Sequence, residues 1–225
     1  MDNSNCWLKD RCTQVDCDTF CLRKFKLDYL YDQALVSMEQ RQRIKLCLDD
    51  DLKDQAVFDA LHQIEMSITS FVAAGHNLYL YSPITGNGKT AWALRLLQSY
   101  LETVWPQSSL TCRALFINVP KFFLALKDNI SEKNDYITQI KQNVLKADLV
   151  VWDEVALKTL TSFEMENLLS LINNRIDLGK ANIYTSNIAP ADLLTLVGDR
   201  LYSRIIKLST VYCFRGQDKR FLKRN

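Results

Sequence analysis

Two short segments of the chain carry residue types at spacings suited to phosphate chemistry. The first, YSPITGNGKT, runs from Tyr81 to Thr90 and ends in Gly-x-Gly-Lys-Thr. In a phosphate-binding loop such glycines let backbone N–H groups approach phosphate oxygens, the lysine reaches the β- and γ-phosphates, and the hydroxyl binds Mg²⁺. Where the usual fingerprint has its first glycine, this chain has Pro83, which lacks an N–H donor. The half of the loop nearer the helix is intact and predicts an ATP site.

A strand precedes this loop and a helix follows it, which is the setting that a phosphate loop requires. Lys89 is the predicted catalytic lysine, and Thr90 is the predicted Mg²⁺ ligand. A turn that contains Gly-Lys-Thr by chance is the competing interpretation, and the flanking elements disfavour it. The residues predicted to contact ATP are Thr85, Gly86, Asn87, Gly88, Lys89, Thr90 and Ala91.

The second segment, LVVWDE, supplies carboxylates. Four apolar residues predict a buried strand that ends at Asp153 and Glu154, on the side of a parallel sheet where ligands bind. We expect Asp153 to hold Mg²⁺ together with Thr90, and Glu154 to orient and polarise an attacking water. Because a kinase takes its nucleophile from the substrate, the adjacent Asp-Glu favours ATP hydrolysis over transfer. A strand that ends in solvated acids is the alternative.

A third buried strand, NIYTSN, ends in Ser186 and Asn187. Asn187 is expected between the two motifs, where its side chain can contact the γ-phosphate or the attacking water. A cap for the helix predicted in APADLL is the alternative, and the local sequence alone favours the cap.

Short apolar runs alternate with helical patterns from residue 77 onward. The predicted strands are NLYLYS, CRALFINVP, ADLVVWDE, ANIYTSN and TVYCFRG, and helical segments separate them. Runs such as LVVW and ALFI are apolar without alternation, as expected of strands that are buried on both faces. The order predicts an α/β fold with a parallel five-stranded sheet between helices.

The first 65 residues differ in composition, since they contain no glycine and no proline. Apolar spacing predicts one long helix in KFKLDYLYDQALVSMEQRQRIKLCLDD and a second in DLKDQAVFDALHQIEMSITSFVAAG, which Gly75 ends. We therefore predict a small, cysteine-rich helical domain at residues 1–60 and an ATPase domain at residues 61–225.

Four cysteines near the N-terminus read C-x5-C-x4-C-x3-C: Cys6, Cys12, Cys17 and Cys21. In a chain expected to be cytosolic, four thiols in so short a span favour structural Zn²⁺ over disulfides. A small segment without an obvious core also gains stability from a bound metal. Free buried thiols are the alternative.

Bulk composition excludes several classes of protein. With 48% hydrophobic and 24% charged residues, the 225-residue chain is typical of a soluble globular protein. The net charge of +2 does not by itself indicate a nucleic-acid binder. Apolar runs fall short of the roughly 20 residues of a membrane-spanning helix, and the polar N-terminus is unlike a signal peptide. We expect a cytoplasmic protein without a membrane partner.

The order of phosphate loop, Asp-Glu strand and strand ending in Asn resembles that of the AAA+ ATPases. The segments YSPITGNGKTAWAL, VVWDEVALKTLTSFE, NIYTSN and GDRLYSRI together resemble the DnaC/DnaI-type helicase loaders and their phage-encoded relatives, over about residues 75–225. The resemblance implies that Arg204, or secondarily Arg200, reaches the nucleotide of a neighbouring subunit and stabilises charge in the transition state. It therefore implies a homo-oligomer, either a head-to-tail ring or a spiral.

The resemblance also implies contacts with single-stranded DNA and with a helicase. In TSFE, which reads as a capping box, Thr161 and Phe163 are candidates for contacts to phosphate and base, and Lys121 is a third candidate. Within the basic C-terminal tail, Arg220 is implied to lie near the nucleotide phosphates. The DnaI-type loaders carry a zinc-bearing N-terminal domain that docks onto the helicase, which agrees with the cysteine cluster.

The combined interpretation is an ATP-dependent loader that delivers a hexameric, DnaB-type replicative helicase onto single-stranded DNA in the bacterial cytoplasm, as a phage-type member of its family. An IstB-like transposition ATPase, which binds duplex DNA and a transposase, shares nearly all of these motifs and is the first alternative. The second alternative is a nucleotide-binding adaptor or inhibitor of the host replication machinery that does not hydrolyse ATP.

Overall fold

The computed structural model describes residues 6–9, 12, 21–42, 44, 46–48, 52–131 and 135–219. Within these ranges the strands are β1 (Asn77–Tyr81), β2 (Ala114–Asn118), β3 (Leu149–Asp153), β4 (Ala181–Ser186) and β5 (Ser209–Cys213). The helices are α1 (Leu22–Gln33), α2 (Gln55–Met66), α3 (Ile68–Ala73), α4 (Lys89–Val104), α5 (Val119–Ser131), α6 (Asp135–Lys146), α7 (Ser162–Asp177) and α8 (Pro190–Ile205). In the same described ranges, none of the helices is both long enough and apolar enough to cross a bilayer.

The five strands form one sheet in the order β2-β3-β4-β1-β5, and every neighbouring pair is parallel. The predicted α/β fold with a parallel five-stranded sheet is confirmed. Strands β3, β4 and β1 are neighbours, so the segments that follow them leave the sheet side by side. The loop after β1 and the residues that end β3 and β4 therefore meet at one edge.

Alternate residues of each strand face opposite helical layers. In β1, Leu78 and Leu80 belong to a core with α1, α2, α3 and α4, whereas Tyr79 belongs to a core with α5, α6, α7 and α8. Because helices cover both faces, the central strands are buried at nearly every position. This burial explains the apolar runs without alternation in the sequence.

The first helix is shorter than its spacing predicted. Helix α1 ends at Gln33, and Leu35 adopts a left-handed backbone with φ 59° while its N–H donates to the Asp32 carbonyl at 3.1 Å. Downstream, Arg41 is buried and forms ion pairs with Asp28 and Asp32 of α1. The chain therefore reverses after α1 and packs Arg41 against that helix. The spacing of apolar residues, which predicted a longer helix, carries no information about these ion pairs.

The second predicted helix is divided in the structure. Helices α2 and α3 meet at Ser67, whose hydroxyl donates to the Gln63 carbonyl at 2.9 Å, a bond that competes with regular helix geometry. Gly75 ends α3 with φ 65°, as predicted. A side chain at this position would overlap the backbone of Gly179, so close approach also requires the glycine.

Helix α6 is an element that the sequence interpretation missed. Its buried face includes Ile137, Ile140 and Val144, at helical spacing, with Asp135 in its first turn and Lys146 in its last. The helical pattern is present in the sequence, but the prediction treated this segment as part of the connection between the strands now seen as β2 and β3.

The described part of residues 1–60 packs onto the sheet layer. Leu30 and Tyr31 of α1 are fully buried in the same core as Trp92 of α4. The backbone N–H of Phe116 donates to the Ala34 carbonyl at 2.8 Å, and this bond covers the outer edge of β2. The division at residue 60 stays a prediction, while the helix before it shares a core with the sheet.

Candidate active site

The period of two along a strand brings three polar side chains to the same corner of the sheet. Asn118, Asp153 and Thr185 each follow, by two positions, a strand residue that packs in the core on the α4 side: Phe116, Val151 and Ile183. All three therefore emerge on the α4 face, at the carboxyl ends of β2, β3 and β4. The loop from β1 to α4 reaches the same corner.

The loop from residue 82 to residue 88 opens directly into α4. Gly86 and Gly88 have φ of 71° and 112°, values that favour glycine, and Gly88 is the N-cap of α4 without a side-chain cap. The first N–H groups of this 16-residue helix therefore have no side-chain acceptor at the cap and suit an anion.

A cavity of about 430 Å³ lies over these amides, a volume typical of ligand sites. The ATP contacts predicted in the loop and at the start of α4 line it, except Asn87, together with four polar residues from the ends of β3 and β4. The lining residues are Thr85, Gly86, Gly88, Lys89, Thr90, Ala91, Glu154, Thr185, Ser186 and Asn187. Pro83 is exposed and is not part of this lining. The missing N–H at Pro83 thus lies outside the wall of the cavity.

The Lys89 side chain is held by the loop itself. Its ammonium donates to the Ile84 carbonyl at 2.9 Å and to Asn87 Oδ1 at 3.2 Å, and the residue is 7% exposed. Asn87 is fully buried and donates in turn to Ser82 Oγ at 2.6 Å. Asn87 therefore positions the lysine and braces the loop.

Asp153 is the centre of the hydrogen-bond network. Its Oδ1 accepts from the hydroxyls of Thr90 at 2.8 Å and Thr185 at 2.7 Å, and its Oδ2 accepts from Asn118 Nδ2 at 3.4 Å. Burial raises the pKa of Asp153, and the two hydroxyl hydrogen bonds oppose that rise only in part. A buried carboxylate whose charge is disfavoured in this way is suited to a cation.

The residues present fit Mg²⁺ bound with ATP. The Thr90 hydroxyl and the Asp153 carboxylate are in contact, and both are the hard oxygen ligands that Mg²⁺ prefers. Bound Mg²⁺ would neutralise charge on the phosphate oxygens. Lys89 and the first amides of α4 would bind the same phosphates from the loop side.

Glu154 follows Asp153 in a strained conformation. Its φ is 61°, which is uncommon for a residue other than glycine and is often found at functional sites. The Glu154 N–H donates to Thr185 Oγ1 at 3.0 Å, and Asn118 Nδ2 donates to Glu154 Oε2 at 3.1 Å. Its carboxylate thus lines the cavity from a fixed backbone, where it can accept a proton from water.

Thr185 and Asn118 were missed by the sequence interpretation. Thr185 holds both members of the Asp153–Glu154 pair, and Asn118 bridges the same two carboxylates. The available signal was a polar residue at the carboxyl end of an apolar strand, in NIYTS and ALFIN. Within NIYTSN, the prediction selected Ser186 and Asn187 and not Thr185.

The cap interpretation of the Ser186–Asn187 pair is not supported, because the N-cap of α8 is Ala189 without a side-chain hydrogen bond. Asn187 lines the cavity. The Ser186 hydroxyl instead donates to the Val155 carbonyl at 2.8 Å and accepts the N–H of Ile188 at 3.1 Å.

Arg200 and Arg204 are exposed on the second half of α8, beyond a break at Gly198, whose φ of 73° and ψ of 163° are not helical. Neither arginine lines the cavity of its own chain. Arg204 Nε donates to Asn173 Oδ1 at 2.8 Å, which holds its guanidinium on the outer surface of α7.

The DNA candidates lie apart from the cavity lining. Thr161 forms the predicted capping box, since its hydroxyl accepts the Glu164 N–H while the Glu164 carboxylate accepts the Thr161 N–H. Phe163 is 37% exposed, and Lys121 is exposed on α5. Their DNA contacts stay predictions.

The zinc site also stays a prediction. Cys6, Cys12 and Cys21 are free thiols, and Cys21 is the N-cap of α1. Cys17 and Arg220 lie outside the described residues. Among the residues that are described, no three His, Cys, Asp or Glu side chains come together as a metal-binding group.

The family model of the IstB-like ATP binding proteins matches residues 33–208, more than half of the chain. The chain belongs to the family of IstB-like ATP binding proteins. Comparison with curated protein sequences finds no match.

Solved structures with the same fold include replication proteins. The DnaC helicase loader matches with a TM-score of 0.56 and 22% identity over 68% of this chain and 89% of that chain. DnaI matches with a TM-score of 0.59 and 18% identity, over 82% and 94%. DnaA bound to AMPPCP and single-stranded DNA matches with a TM-score of 0.58 and 16% identity, over 73% and 47%, so this chain spans about half of that protein.

At these identities the matches establish the fold alone, which this chain shares with the DnaC helicase loader and DnaI. Family membership and the cavity together define the chain as an ATPase of the IstB-like family.

Proposed function

We propose that this ATPase is a loader that delivers a hexameric replicative helicase onto single-stranded DNA. The main support for this proposal is the fold match to DnaC and DnaI, which spans 89% and 94% of those two chains. A match over nearly the whole of another protein favours a shared mode of action more than a match to one domain does. The DnaA match, a structure with bound single-stranded DNA, supports the same nucleic acid.

In the proposed mechanism Lys89 and the amides of the loop bind the phosphates of ATP. Thr90 and Asp153 hold Mg²⁺, Glu154 accepts a proton from the attacking water, and Asn187 contacts the γ-phosphate or that water. These roles are supported by the single cavity that the five side chains line or adjoin.

The proposal includes assembly of several copies of the chain. Arg204 and Arg200 are exposed and lie outside the cavity of their own chain. They can therefore contribute to the ATP site of a neighbouring subunit. Such a contact is head-to-tail and produces a ring or a spiral. ATP hydrolysis would then depend on assembly.

Assembly can be tested with Arg204→Ala and Lys207→Ala, two exposed cations on the same stretch of chain. Hydrolysis per subunit should rise with protein concentration for the wild type and for Lys207→Ala. Arg204→Ala should bind ATP but stay at the low rate of the dilute chain. A full rate for Arg204→Ala at high concentration would remove it from the proposed site.

An IstB-like transposition ATPase is the second candidate, and the family model favours it directly. That function requires duplex DNA and a transposase, whereas a loader requires a helicase and single-stranded DNA. The two candidates share the ATP site, so the partner decides between them.

Co-purification from cells that carry the native replicative helicase tests the partner. A stoichiometric helicase in the complex, with hydrolysis stimulated by single-stranded DNA, is the result expected of a loader. Stimulation by duplex DNA without a bound helicase would favour the transposition candidate. A complex with helicase that hydrolyses no ATP under either condition would favour an adaptor.

We also propose that the cysteine segment binds Zn²⁺ and docks onto the helicase, with ligands Cys6, Cys12, Cys17 and Cys21. Metal analysis of the purified chain should give one zinc per chain, and Cys12→Ser should lower that content together with helicase retention. Cys47→Ser, at an exposed cysteine outside the cluster, is the control. A metal-free chain that retains the helicase would contradict this part of the proposal.

A further inference from the structure

A buried carboxylate outside the cavity links the segment after β5 to the phosphate loop. Asp54 is the N-cap of α2 and is 2% exposed, but its side chain makes no capping bond to its own helix. Its two oxygens instead accept the backbone N–H groups of Arg215 at 2.7 Å and Gly216 at 3.0 Å. Asp54 therefore holds the segment that follows β5, at a distance of more than 160 residues along the chain.

We call residues 214–219 the C-terminal strap. At one end of the strap, the Phe214 carbonyl accepts from Asn87 Nδ2 at 3.4 Å, and at the other end the Lys219 N–H donates to the Gly86 carbonyl at 3.0 Å. Asp54 holds the two residues in between. A methyl group added at Gly86 would overlap the Asp218 carboxylate, so the strap lies directly against the loop.

The bond from Lys219 fixes one peptide plane of the phosphate loop. In a trans peptide the C=O and the following N–H point in opposite directions. Because the Gly86 carbonyl points to the strap, the N–H of Asn87 points away from it. Gly86 and Gly88 on either side of this peptide line the cavity, so the bond from Lys219 fixes the backbone of the cavity wall at these two glycines.

We propose that Asp54 is a positioning residue for ATP that acts through the C-terminal strap. The carboxylate holds the strap, and the strap holds the loop at Gly86 and Asn87 in the conformation that forms the wall of the cavity. Without this support the peptide is free to rotate, and ATP binding must then also select one orientation. The inference rests on ATP binding by the loop and is independent of the DNA and helicase partners proposed above.

Asp54→Asn keeps the size of the side chain but replaces one acceptor with an N–H donor. We expect ATP affinity of the full chain to fall by about tenfold, because two hydrogen bonds to a charged group are weakened. KM for ATP should rise by the same factor, and kcat at saturating ATP should be unchanged, because Glu154 and Asp153 are untouched. Asp59→Asn, at an exposed position one turn further along α2, is the matched control.

The backbone bond can be removed separately. Lys219→Pro deletes the N–H that binds Gly86, whereas Lys219→Ala deletes only the side chain and sets the reference. Titration with a fluorescent ATP analogue should show weaker binding for Lys219→Pro than for Lys219→Ala. The double variant Asp54→Asn, Lys219→Pro should lose less ATP binding free energy than the sum of the losses of the two single variants, because both substitutions act through one strap.

Two results would overturn the proposal. One is an Asp54→Asn chain that melts at a lower temperature but binds ATP as Asp59→Asn does, since the carboxylate would then be purely structural. The other is equal ATP affinity of Lys219→Pro and Lys219→Ala, since the bond to Gly86 would then have no role in binding.

Discussion

The two ends of the sheet both carry polar clusters around an aspartate, buried at the carboxyl end and half-buried at the amino end, and the clusters compensate its charge in opposite ways. At the carboxyl end, Asp153 accepts hydrogen bonds from Thr90, Thr185 and Asn118. Among the described residues it has no salt bridge, and burial raises its pKa. The described side chains that donate to Asp153 are all neutral.

At the amino end, Asp148 lies just before β3 within a set of cations. Lys180 and Arg113 pair with its carboxylate at 2.7 Å each, and the Tyr100 hydroxyl donates to it at 2.9 Å. Burial alone would raise the pKa of Asp148, but these partners lower it below its ordinary value. The charge is compensated within the chain itself.

Arg175, also at the amino end of the sheet, likewise has its hydrogen-bond partners within the chain. Its guanidinium is fully buried, and burial lowers its pKa to about 10. It donates to the carbonyl oxygens of Val144, Ala147 and Ala181 and to Asn182 Oδ1. The carbonyls at the end of α6 are thereby capped and joined to β4.

This difference favours the cluster at the carboxyl end as the ligand site. A cluster with internal compensation stabilises the fold and has no need of a ligand, whereas a buried carboxylate surrounded by neutral donors gains most when a cation arrives. The comparison predicts that substitutions at the carboxyl end change ATP chemistry, and that substitutions at the amino end change stability.

The largest effect is expected for Glu154→Gln at the carboxyl end. Glutamine cannot accept a proton from water, so hydrolysis should fall by about 100- to 10,000-fold while ATP binding is retained. Phosphate release and nucleotide titration measure the two quantities. Glu166→Gln, on the exposed side of α7, is the control, and a Glu154 variant with normal hydrolysis would remove this residue from the mechanism.

Arg175→Met should give the largest loss of stability at the amino end. Several buried carbonyls lose their donor, so the free energy of unfolding should fall by about 3 kcal/mol or more. ATP affinity of the folded fraction should not change. Denaturant unfolding measures this, with exposed Lys207→Met as the control. An unchanged midpoint would contradict the structural role of Arg175.

The two aspartates should differ in the sign of their effect. At pH 7, Asp148→Asn should lower the free energy of unfolding by about 1 to 2 kcal/mol, because charged hydrogen bonds are lost. Asp153→Asn should leave it unchanged or raise it, because the fold disfavours that charge, yet it should abolish Mg²⁺-dependent hydrolysis. Equal destabilisation by both substitutions would show that the two clusters do not differ.

The smallest expected effect is on the pH dependence of the free energy of unfolding at acid pH. The pKa of Asp148 is lowered in the fold, so its stabilisation is present above pH 3.8 and is lost as pH falls through the folded pKa. The pKa of Asp153 is raised, so ionisation of this group costs stability as pH rises through its folded pKa. Acid unfolding of Asp148→Asn should therefore be less steep than that of the wild type below pH 3.8, whereas Asp153→Asn should not reduce the steepness.

Most of the fold from residue 77 onward was predictable, because strands buried on both faces and helices with capping signals have strong local patterns. The capping box of Thr161 and the turn at Gly75 are local in the same sense. The end of α1 was not predictable, since it depends on Arg41 meeting two aspartates after the chain reverses.

The candidate reactive residues could be predicted from the sequence, because the loop with Lys89 and the strand ending in Asp153 and Glu154 are each contiguous in the chain. The residues that surround them became evident only from the fold. Thr185 and Asn118 act on Asp153 from other strands, and Asp54 binds the segment after β5, which is more than 160 residues further along the chain. The physical reason is that hydrogen bonds between distant segments depend on strand order and register, which no local pattern records.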